Sequence, residues 1–370
     1  MLNKPHIHRN MRKFWILLLL LFVDKFFLYS QSVVADELGY DKVNAIISRD
    51  FIFEKDRPFK ECHASTLIYL DNDGYMIAWF GGTKEGWDDV GIWLSRGKPG
   101  NWDKPRQVVK VRDDAHWNPV LFKEDNGKIH LYFKVGKYIS SWETWEITSE
   151  DNGETWSQPK ELVLGDKGGR GPVRNKPIVL SNGAWLAGAS FEDSKGDEYW
   201  NVFVDRSEDN GKTWVATPYL KLDREDFSGK GVIQPTLWES LPGHIHMLVR
   251  STNGKIYRSD SEDYGETWNE LYSIDMPNNN SGIDVVKLQN GNLVLVYNPV
   301  SENWGSRALL NIAISYDNGY NWPKKLALES GNAPEEYSYP AIISHGDKIA
   351  LTYTWKRQRI AFWKIDIEDL

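Results

Sequence analysis

An eight-residue phrase that recurs four times constrains the fold of this chain more than any other feature of its sequence. The phrase reads Ser-x-Asp-x-Gly-x-x-Trp, and its copies begin at Ser149, Ser207, Ser261 and Ser315, at intervals of 58, 54 and 54 residues. A degenerate copy begins at Ser95, 54 residues before the first complete one. Repetition at a fixed period of this length indicates stacked copies of one supersecondary unit. The 370 residues therefore need not form two or three unrelated domains.

A second repeat lies between these phrases and has six copies. Each copy is a short apolar strand, a turn containing Gly and a second apolar or aromatic strand, which is the pattern of a β-hairpin. The copies begin at His63, Asn118, Asn175, Gln234, Gly282 and Tyr339. A four-stranded sheet cannot bury both faces alone, and radial stacking of such sheets solves this. We therefore predict an all-β, six-bladed β-propeller over residues 44–370, closed by pairing of Asn44–Phe53 with the last hairpin.

The eight-residue phrase is interpreted as a structural turn. Ser and Asp side chains hydrogen-bond to turn backbone, Gly supplies a positive φ, and Trp can pack into the sheet behind the turn. Each copy is expected to join the two outer strands of a blade. The phrase itself therefore says little about chemistry.

The first residues have the pattern of a secretory signal. Basic residues up to Lys13 precede an apolar run from Phe14 to Val23, which is too short to span a bilayer. We predict a signal peptide over residues 1–31, a short lead over residues 32–43 and export to the periplasm or the cell exterior. No membrane attachment is expected after cleavage.

Composition excludes several other classes. The net charge of −8, with no basic tract after the N-terminus, argues against a nucleic-acid partner. The single cysteine, Cys62, cannot form an internal disulfide. His244 and His246 share a strand face but have no evident third ligand, so neither a metal nor another cofactor is expected. We expect a monomer that binds a glycan, which the 18 tryptophans suit.

Four copies of the phrase on a six-bladed pattern resemble the sialidase (neuraminidase) superfamily, in which the phrase is called the Asp-box. The resemblance extends from about Asn44 to Lys364, and the stretches CHAST and SYPAI are similar to divergent bacterial sialidase-like proteins with BNR repeats. Sialidases are retaining glycosidases with a tyrosine nucleophile. The resemblance also implies a Glu that takes the phenolic proton, three Arg that bind the substrate carboxylate and an Asp that acts as acid and then base.

The stretch EYSYPAIIS looks like the nucleophile strand of sialidases. Its first tyrosine, Tyr337, occupies the position that the resemblance implies for the nucleophile. Tyr339 lies two residues further on and is expected on the same face of the strand. Either tyrosine can therefore take this role.

Three further stretches look like other parts of the sialidase site. HMLVRS and SRALL resemble the strands that carry the second and third arginines, which implies Arg250 and Arg307 for these roles. FGGTKEGWDDVGIW resembles the loop that carries the acid and base. The carboxylate implied there is Asp88 or Asp89.

Two positions depart from the sialidase pattern. The first arginine should open the first blade, where this chain has His63 and Ala64. The glutamate that partners the tyrosine is replaced by Gln234, which cannot accept the phenolic proton. A tyrosine with an ordinary pKa of about 10 then needs another source of activation.

Polar residues at the starts of the inner strands are expected to converge at the mouth of the propeller. The candidates for substrate binding are Arg174, Lys176, Arg250, Arg307, Lys134, Asn118, His116, Tyr339 and Asp284. The excess of cations predicts an anionic ligand, most simply a sugar acid. His63 and His116 fall at equivalent positions of adjacent blades by this count, and each is either an acid or base near neutral pH or a structural histidine.

These features lead to one predicted function and two alternatives. We predict an exported glycoside hydrolase that removes a terminal acidic sugar, with Tyr337, Asp88 or Asp89, His63 and Gln234 as catalytic candidates. A polysaccharide lyase acting on uronic acids is one alternative, with His63, His116 or a tyrosine as base. A non-catalytic glycan-binding propeller is the other.

Overall fold

The computed structural model describes residues 46–193, 199–346 and 348–366. These residues form six antiparallel sheets. The predicted signal peptide and lead, residues 1–43, lie outside the described residues. Within the described ranges no helix has the length and apolar character to cross a membrane.

The strands follow one another blade by blade along the chain. The first, β1 (Ile46–Phe51), belongs to the last blade. Blade 1 contains β2 (Glu61–Leu70), β3 (Gly74–Gly82), β4 (Gly91–Lys98), β5 (Asn101–Trp102) and β6 (Arg106–Val109). Blade 2 contains β7 (His116–Lys123), β8 (Ile129–Val135), β9 (Glu143–Ser149) and β10 (Lys160–Glu161). Blade 3 contains β11 (Ile178–Val179), β12 (Trp185–Phe191), β13 (Asn201–Ser207) and β14 (Val215–Ala216).

The remaining blades have the same plan. Blade 4 contains β15 (Val232–Leu241), β16 (His244–Ser251), β17 (Lys255–Ser261) and β18 (Tyr272–Pro277). Blade 5 contains β19 (Asp284–Lys287), β20 (Leu293–Tyr297), β21 (Leu309–Ser315) and β22 (Lys324–Ser330). Blade 6 contains β23 (Tyr337–His345), β24 (Lys348–Trp355), β25 (Arg359–Asp366) and β1. One 3₁₀ turn, Ile139–Ser141, lies in blade 2.

The ring closes through both ends of the described chain. β1 pairs antiparallel with β25, with Phe51 opposite Ala361 and Ile46 opposite Ile365. Apolar side chains such as Trp79, Phe133 and Tyr353 are buried in clusters in and between the sheets. The predicted six-bladed propeller and its closure are therefore confirmed.

The Asp-box turns connect the third and fourth strands of their blades. In the first copy the Ser149 hydroxyl accepts the Gly153 N–H at 2.8 Å, and Asp151 accepts the N–H and hydroxyl of Thr155 at 2.9 and 2.6 Å. These bonds lower the pKa of Asp151 to about 2. Gly153 has a φ of +80°, which favours glycine. The interpretation of the phrase as a structural turn is confirmed.

Four inner strands carry the same irregularity close to their start. The register shifts there by one residue, and the residue at each shift has a left-handed φ of 40° to 59°. These residues are Ala64 in β2, Asn118 in β7, Gln234 in β15 and Tyr339 in β23. Such β-bulges interrupt the alternation of side chains between the two faces of a strand. The expectation that Tyr337 and Tyr339 share a face is therefore wrong.

Three consecutive residues before β11 bind other blades. Arg174 crosses the axis to blade 6, where its Nη2 donates to the carbonyls of Tyr339 and Pro340 at 2.7 and 2.9 Å. Lys176 donates to both carboxylate oxygens of Asp284 in blade 5, each at 2.9 Å. The middle residue, Asn175, donates to backbone carbonyls of blade 4. These contacts hold the inner strands together beneath the mouth.

Candidate active site

Tyr339 lies at the centre of a group of cations. Its ring centroid is 5.3 Å from the guanidinium carbon of Arg174, 5.5 Å from that of Arg250 and 5.6 Å from that of Arg307. The ring of His63 packs against it with centroids 4.2 Å apart. Arg250 Nη1 donates to the Tyr339 hydroxyl at 2.7 Å. The bulge in β23 thus places a partly exposed phenol among three guanidinium groups.

Tyr337 lies in a different environment. Its side chain is buried beside Trp355, and its hydroxyl donates to Glu335 at 3.0 Å. Burial and the nearby Glu329 and Glu335 raise the pKa of Tyr337, which opposes formation of a phenolate. Of the two tyrosines that the sequence left open, the contacts favour Tyr339.

Arg250 is buried and is bound by neutral acceptors. Its Nη1 also donates to Gln234 Oε1 at 3.1 Å, and its Nε donates to Asn280 Oδ1 at 3.1 Å. A third nitrogen, Nη2, donates to the Asn280 carbonyl. The sequence interpretation missed Asn280, which precedes β19 and has a left-handed φ of 61°. Its position in the run MPNNNSG carries no catalytic signal.

An arginine that the sequence did not single out lies beside Arg307. Arg307 Nη1 donates to Glu336 Oε1 at 3.1 Å, and Arg357 Nε donates to the other oxygen of the same carboxylate at 2.8 Å. Arg357 also pairs with Glu85. Burial works against its charge, but the two glutamates outweigh burial and raise the pKa of Arg357. One carboxylate therefore holds two guanidinium groups side by side.

Arg357 comes from the turn between β24 and β25 and adjoins the strand where the first arginine was missing. Its carbonyl accepts the N–H of Cys62 at 2.9 Å, next to His63 and Ala64. A residue in a hairpin turn lies outside the strand-start positions that sequence reasoning searched. The pairing of blades 1 and 6 brings it to the site.

The loop between β3 and β4 contributes three carboxylates with different contacts. Asp89 accepts the N–H of Thr83 at 2.9 Å, which ties it to its own loop. Glu85, which the sequence analysis did not name, is the carboxylate that pairs with Arg357. Asp88 is exposed, and no hydrogen bond of its carboxylate is found among the described residues. Of the three carboxylates, Asp89 and Glu85 are thus already bonded, and Asp88 is exposed without such a bond among the described residues.

The two histidines predicted to be equivalent differ in position and environment. His63 directly precedes a bulge, whereas His116 lies two residues before one, so the predicted equivalence is wrong. Burial and the surrounding arginines lower the pKa of His63 far below its usual value, and its ring nitrogens have no hydrogen-bond partner in the described chain. His116 bonds to backbone groups of Val111 and Asp114, and burial lowers its pKa to about 4.

Four other candidates serve contacts within the propeller. Lys176 and Asp284 bind each other, and Asn118 donates to the Val173 carbonyl at 3.1 Å. Lys134 donates to the Thr144 hydroxyl and the Arg170 carbonyl, and burial lowers its pKa to about 7. Among the described residues, no hydrogen bond or ring contact joins any of the four to Tyr339. Nor do the described residues contain a group of three His, Cys, Asp or Glu side chains suited to a metal.

Several buried polar atoms around Tyr339 lack a partner among the described residues. They are Nε and Nη1 of Arg174, Nδ2 of Asn280 and the two ring nitrogens of His63. Burial lowers the pKa of Arg174 to about 10, so this guanidinium still carries its charge at neutral pH. Buried donors without partners are costly and uncommon in native proteins. The arrangement suits a ligand that presents negative charge and several oxygens.

A six-bladed propeller with Asp-box turns and arginines around a tyrosine defines a sialidase-like protein. The chain belongs to the BNR repeat-like domain family, whose family model matches residues 74–351. It is 28% identical over 237 residues to a sialidase from Paraclostridium sordellii, covering 54% of this chain and 55% of that protein. The chain thus spans about half the length of that relative.

Solved structures share the fold at low sequence identity. A protein of unknown function from Dyadobacter fermentans superposes with a TM-score of 0.70 and 15% identity, covering 87% of this chain and 98% of that one. The NanB sialidase from Streptococcus pneumoniae gives 0.66 and 14%, covering 88% and 71%. The sialidase from Trypanosoma rangeli, solved in complex with sialic acid, gives 0.61 and 16%, covering 89% and 58%.

Proposed function

We propose that the protein is a glycoside hydrolase that releases a terminal acidic sugar, either a sialic acid or a related ulosonic or uronic acid, from glycans. The observation that carries the proposal is the set of guanidinium groups of Arg174, Arg250 and Arg307 around one partly exposed phenol. Planar guanidinium groups bind carboxylates through paired, charge-assisted hydrogen bonds. An acidic sugar would bring its carboxylate to these groups and its anomeric carbon to Tyr339.

The chemistry would follow the double displacement of retaining glycosidases. The Tyr339 oxygen would attack the anomeric carbon as the glycosidic bond breaks, and a carboxyl group of the β3–β4 loop would protonate the leaving oxygen. Positive charge from Arg250 would stabilise charge that develops on the phenol oxygen. The phenolic proton would pass to water, because His63 packs against the ring without a hydrogen bond to the hydroxyl and its lowered pKa makes it a weak base. Water would then release the sugar from Tyr339.

The test compares Tyr339→Phe with Tyr337→Phe on glycans that end in sialic, ketodeoxy or uronic acids. We expect Tyr339→Phe to lose about a thousandfold or more of kcat, because the attacking oxygen is gone. Tyr337→Phe removes a hydroxyl that binds Glu335 and should turn over much like the wild type. Full turnover by Tyr339→Phe would overturn the proposed nucleophile. A wild type that releases no acid from any substrate would overturn the hydrolase.

A lyase that acts on uronic acids is the second candidate. The observation in its favour is that no carboxylate contacts the Tyr339 hydroxyl among the described residues, while neutral His63 lies against the ring with unpartnered nitrogens. A lyase needs a neutralised carboxylate and a base for the adjacent proton. A product with new ultraviolet absorbance from a C=C bond would identify it. Tight binding without any product would instead identify a glycan-binding propeller.

We also propose that the protein is exported as a monomer without a membrane anchor. The basic and apolar pattern of residues 1–31 supports export. Sequencing the N-terminus of the protein from cell fractions tests it, and a mature chain beginning near Ser32 is expected. A protein retained in the cytoplasm with Met1 intact would refute it. Size-exclusion chromatography of the mature chain tests the monomer.

A further inference from the structure

A buried carboxyl group binds the nitrogen of the Gln234 amide, whose oxygen binds Arg250. Gln234 Nε2 donates to Glu192 Oε1 at 3.1 Å, and the same oxygen accepts the Ser190 hydroxyl at 3.0 Å. Glu192 is only 5% exposed and follows β12 of blade 3. The contacts therefore run in one line from Glu192 through Gln234 to Arg250 and Tyr339.

This line of contacts fixes the orientation of the Gln234 amide. Its Nε2 faces the carboxylate of Glu192, so its Oε1 faces the guanidinium of Arg250. The flipped amide would place an acceptor against a carboxylate and two donors against a cation, and both contacts would be lost. A residue without negative charge at position 192 would remove this constraint.

The same line supplies a charge for Arg250. A buried guanidinium needs compensation, yet its bonded partners Gln234, Asn280 and Tyr339 are neutral, and no ion pair of Arg250 is found in the described residues. Burial raises the pKa of Glu192, while Arg250 and then the Gln234 bond act in the opposite direction. Glu192 thus faces Arg250 across one amide group rather than binding it.

We propose that Glu192 is a positioning residue of the active site, which acts through the Gln234 amide to hold Arg250 against the Tyr339 hydroxyl. The pair Gln234 and Glu192 thereby replaces a carboxylate in contact with the tyrosine by one placed a side chain further back. This inference rests on the proposed binding of an acidic sugar at Tyr339.

A double-mutant cycle tests the inference. In Glu192→Gln, two amides face each other and can pair in either of two orientations. Only one of these orientations presents the oxygen of Gln234 to Arg250. We expect kcat/KM to fall at least about tenfold. Gln234→Glu places two carboxyl groups in contact and should also lose activity. The exchanged pair, Glu192→Gln with Gln234→Glu, restores a single orientation and should recover a large part of the lost activity.

The pH profile separates positioning from a purely structural role. The charged groups that act on Glu192 are Arg250 from β16 and Lys134 from β8, with Gln234 and Ser190 as neutral neighbours. Protonation of Glu192 in the wild type should lower activity on the acid side. This loss should be absent in Glu192→Gln and reappear at lower pH in the exchanged pair, where the carboxylate touches Arg250.

Glu329→Gln is the matched control. Glu329 is also buried and accepts bonds from Arg49 and Tyr353, outside the contacts of Tyr339. Its replacement should lower stability and leave the pH profile unchanged. Additive losses in the exchanged pair, or an acid limb unchanged in Glu192→Gln, would overturn the positioning role.

Calorimetric titration with free N-acetylneuraminic acid and free glucuronic acid keeps this inference distinct from the proposed reaction. If the wild type binds one acid but turns over no glycan, the hydrolase is refuted. The double-mutant cycle is then measured by binding affinity. Loss of affinity in Glu192→Gln with recovery in the exchanged pair supports the inference. A wild type that neither cleaves nor binds any acid overturns both.

Discussion

Arg357 adds to the site a guanidinium group that the sequence did not predict. It shares Glu336 with Arg307 and adjoins the strand in which Ala64 stands where the resemblance implied an arginine. We expect Arg357→Ala to raise the KM for an acidic sugar about tenfold or more, because the sugar carboxylate would lose a charge-assisted contact with this guanidinium. Steady-state kinetics measure this. Arg359→Ala at the start of β25 is the control, since its guanidinium packs on Phe51 and Trp355. An equal effect of both substitutions would argue against Arg357.

His116 makes a prediction about stability rather than catalysis. Its folded pKa of about 4 lies below the unfolded value of about 6.5, so the unfolded chain takes up a proton first as pH falls. The free energy of unfolding should therefore drop by about 2 kcal/mol from this residue between pH 7 and pH 5. Denaturant titrations of the wild type and His116→Gln measure the difference. An identical pH dependence in the variant would contradict the prediction.

At the scale of the element, the β3–β4 loop supplies the candidates for the acid of the proposed reaction. Glu85 pairs with Arg357 and Asp89 binds Thr83, which leaves the exposed Asp88 as the candidate acid. We expect Asp88→Asn to lose about a hundredfold or more of kcat on natural glycans and far less on an aryl glycoside, whose leaving group needs no proton. Parallel kinetics on both substrates measure this. If Glu85→Gln shows that selective loss instead, the acid is Glu85.

The elements also show how far the sequence could predict the structure. Hairpins and Asp-box turns are local patterns, so their number, order and spacing could be read directly. The bulges at Gln234 and Tyr339 depend on how two strands pair, and a shift of one residue moved Tyr339 to the site and left Tyr337 in the core. Arg357 and Glu192 reach the site through contacts between blades. No local pattern carries such contacts.

At the scale of the whole molecule, the axis is held by an ion pair between blades. Lys176 and Asp284 are bonded at 2.9 Å, and Asp284 also accepts the Ile342 N–H of blade 6. We expect Lys176→Met to lower the free energy of unfolding by about 3–5 kcal/mol, because a buried carboxylate loses its partner. Urea unfolding measures this. Lys176→Met with Asp284→Asn should recover part of the loss, and a double variant no better than the single would disprove the coupling.

The four bulges place four side chains around the axis of the propeller in one shared backbone conformation. The same backbone conformation holds Ala64, Asn118, Gln234 and Tyr339, four side chains that share neither size nor chemistry. This conformation follows from the way the strands pair. A substitution at one of these positions therefore changes the side chain that faces the axis and leaves the scaffold intact. Exchanging one of these four side chains can thus change which ligand the mouth of the propeller accepts.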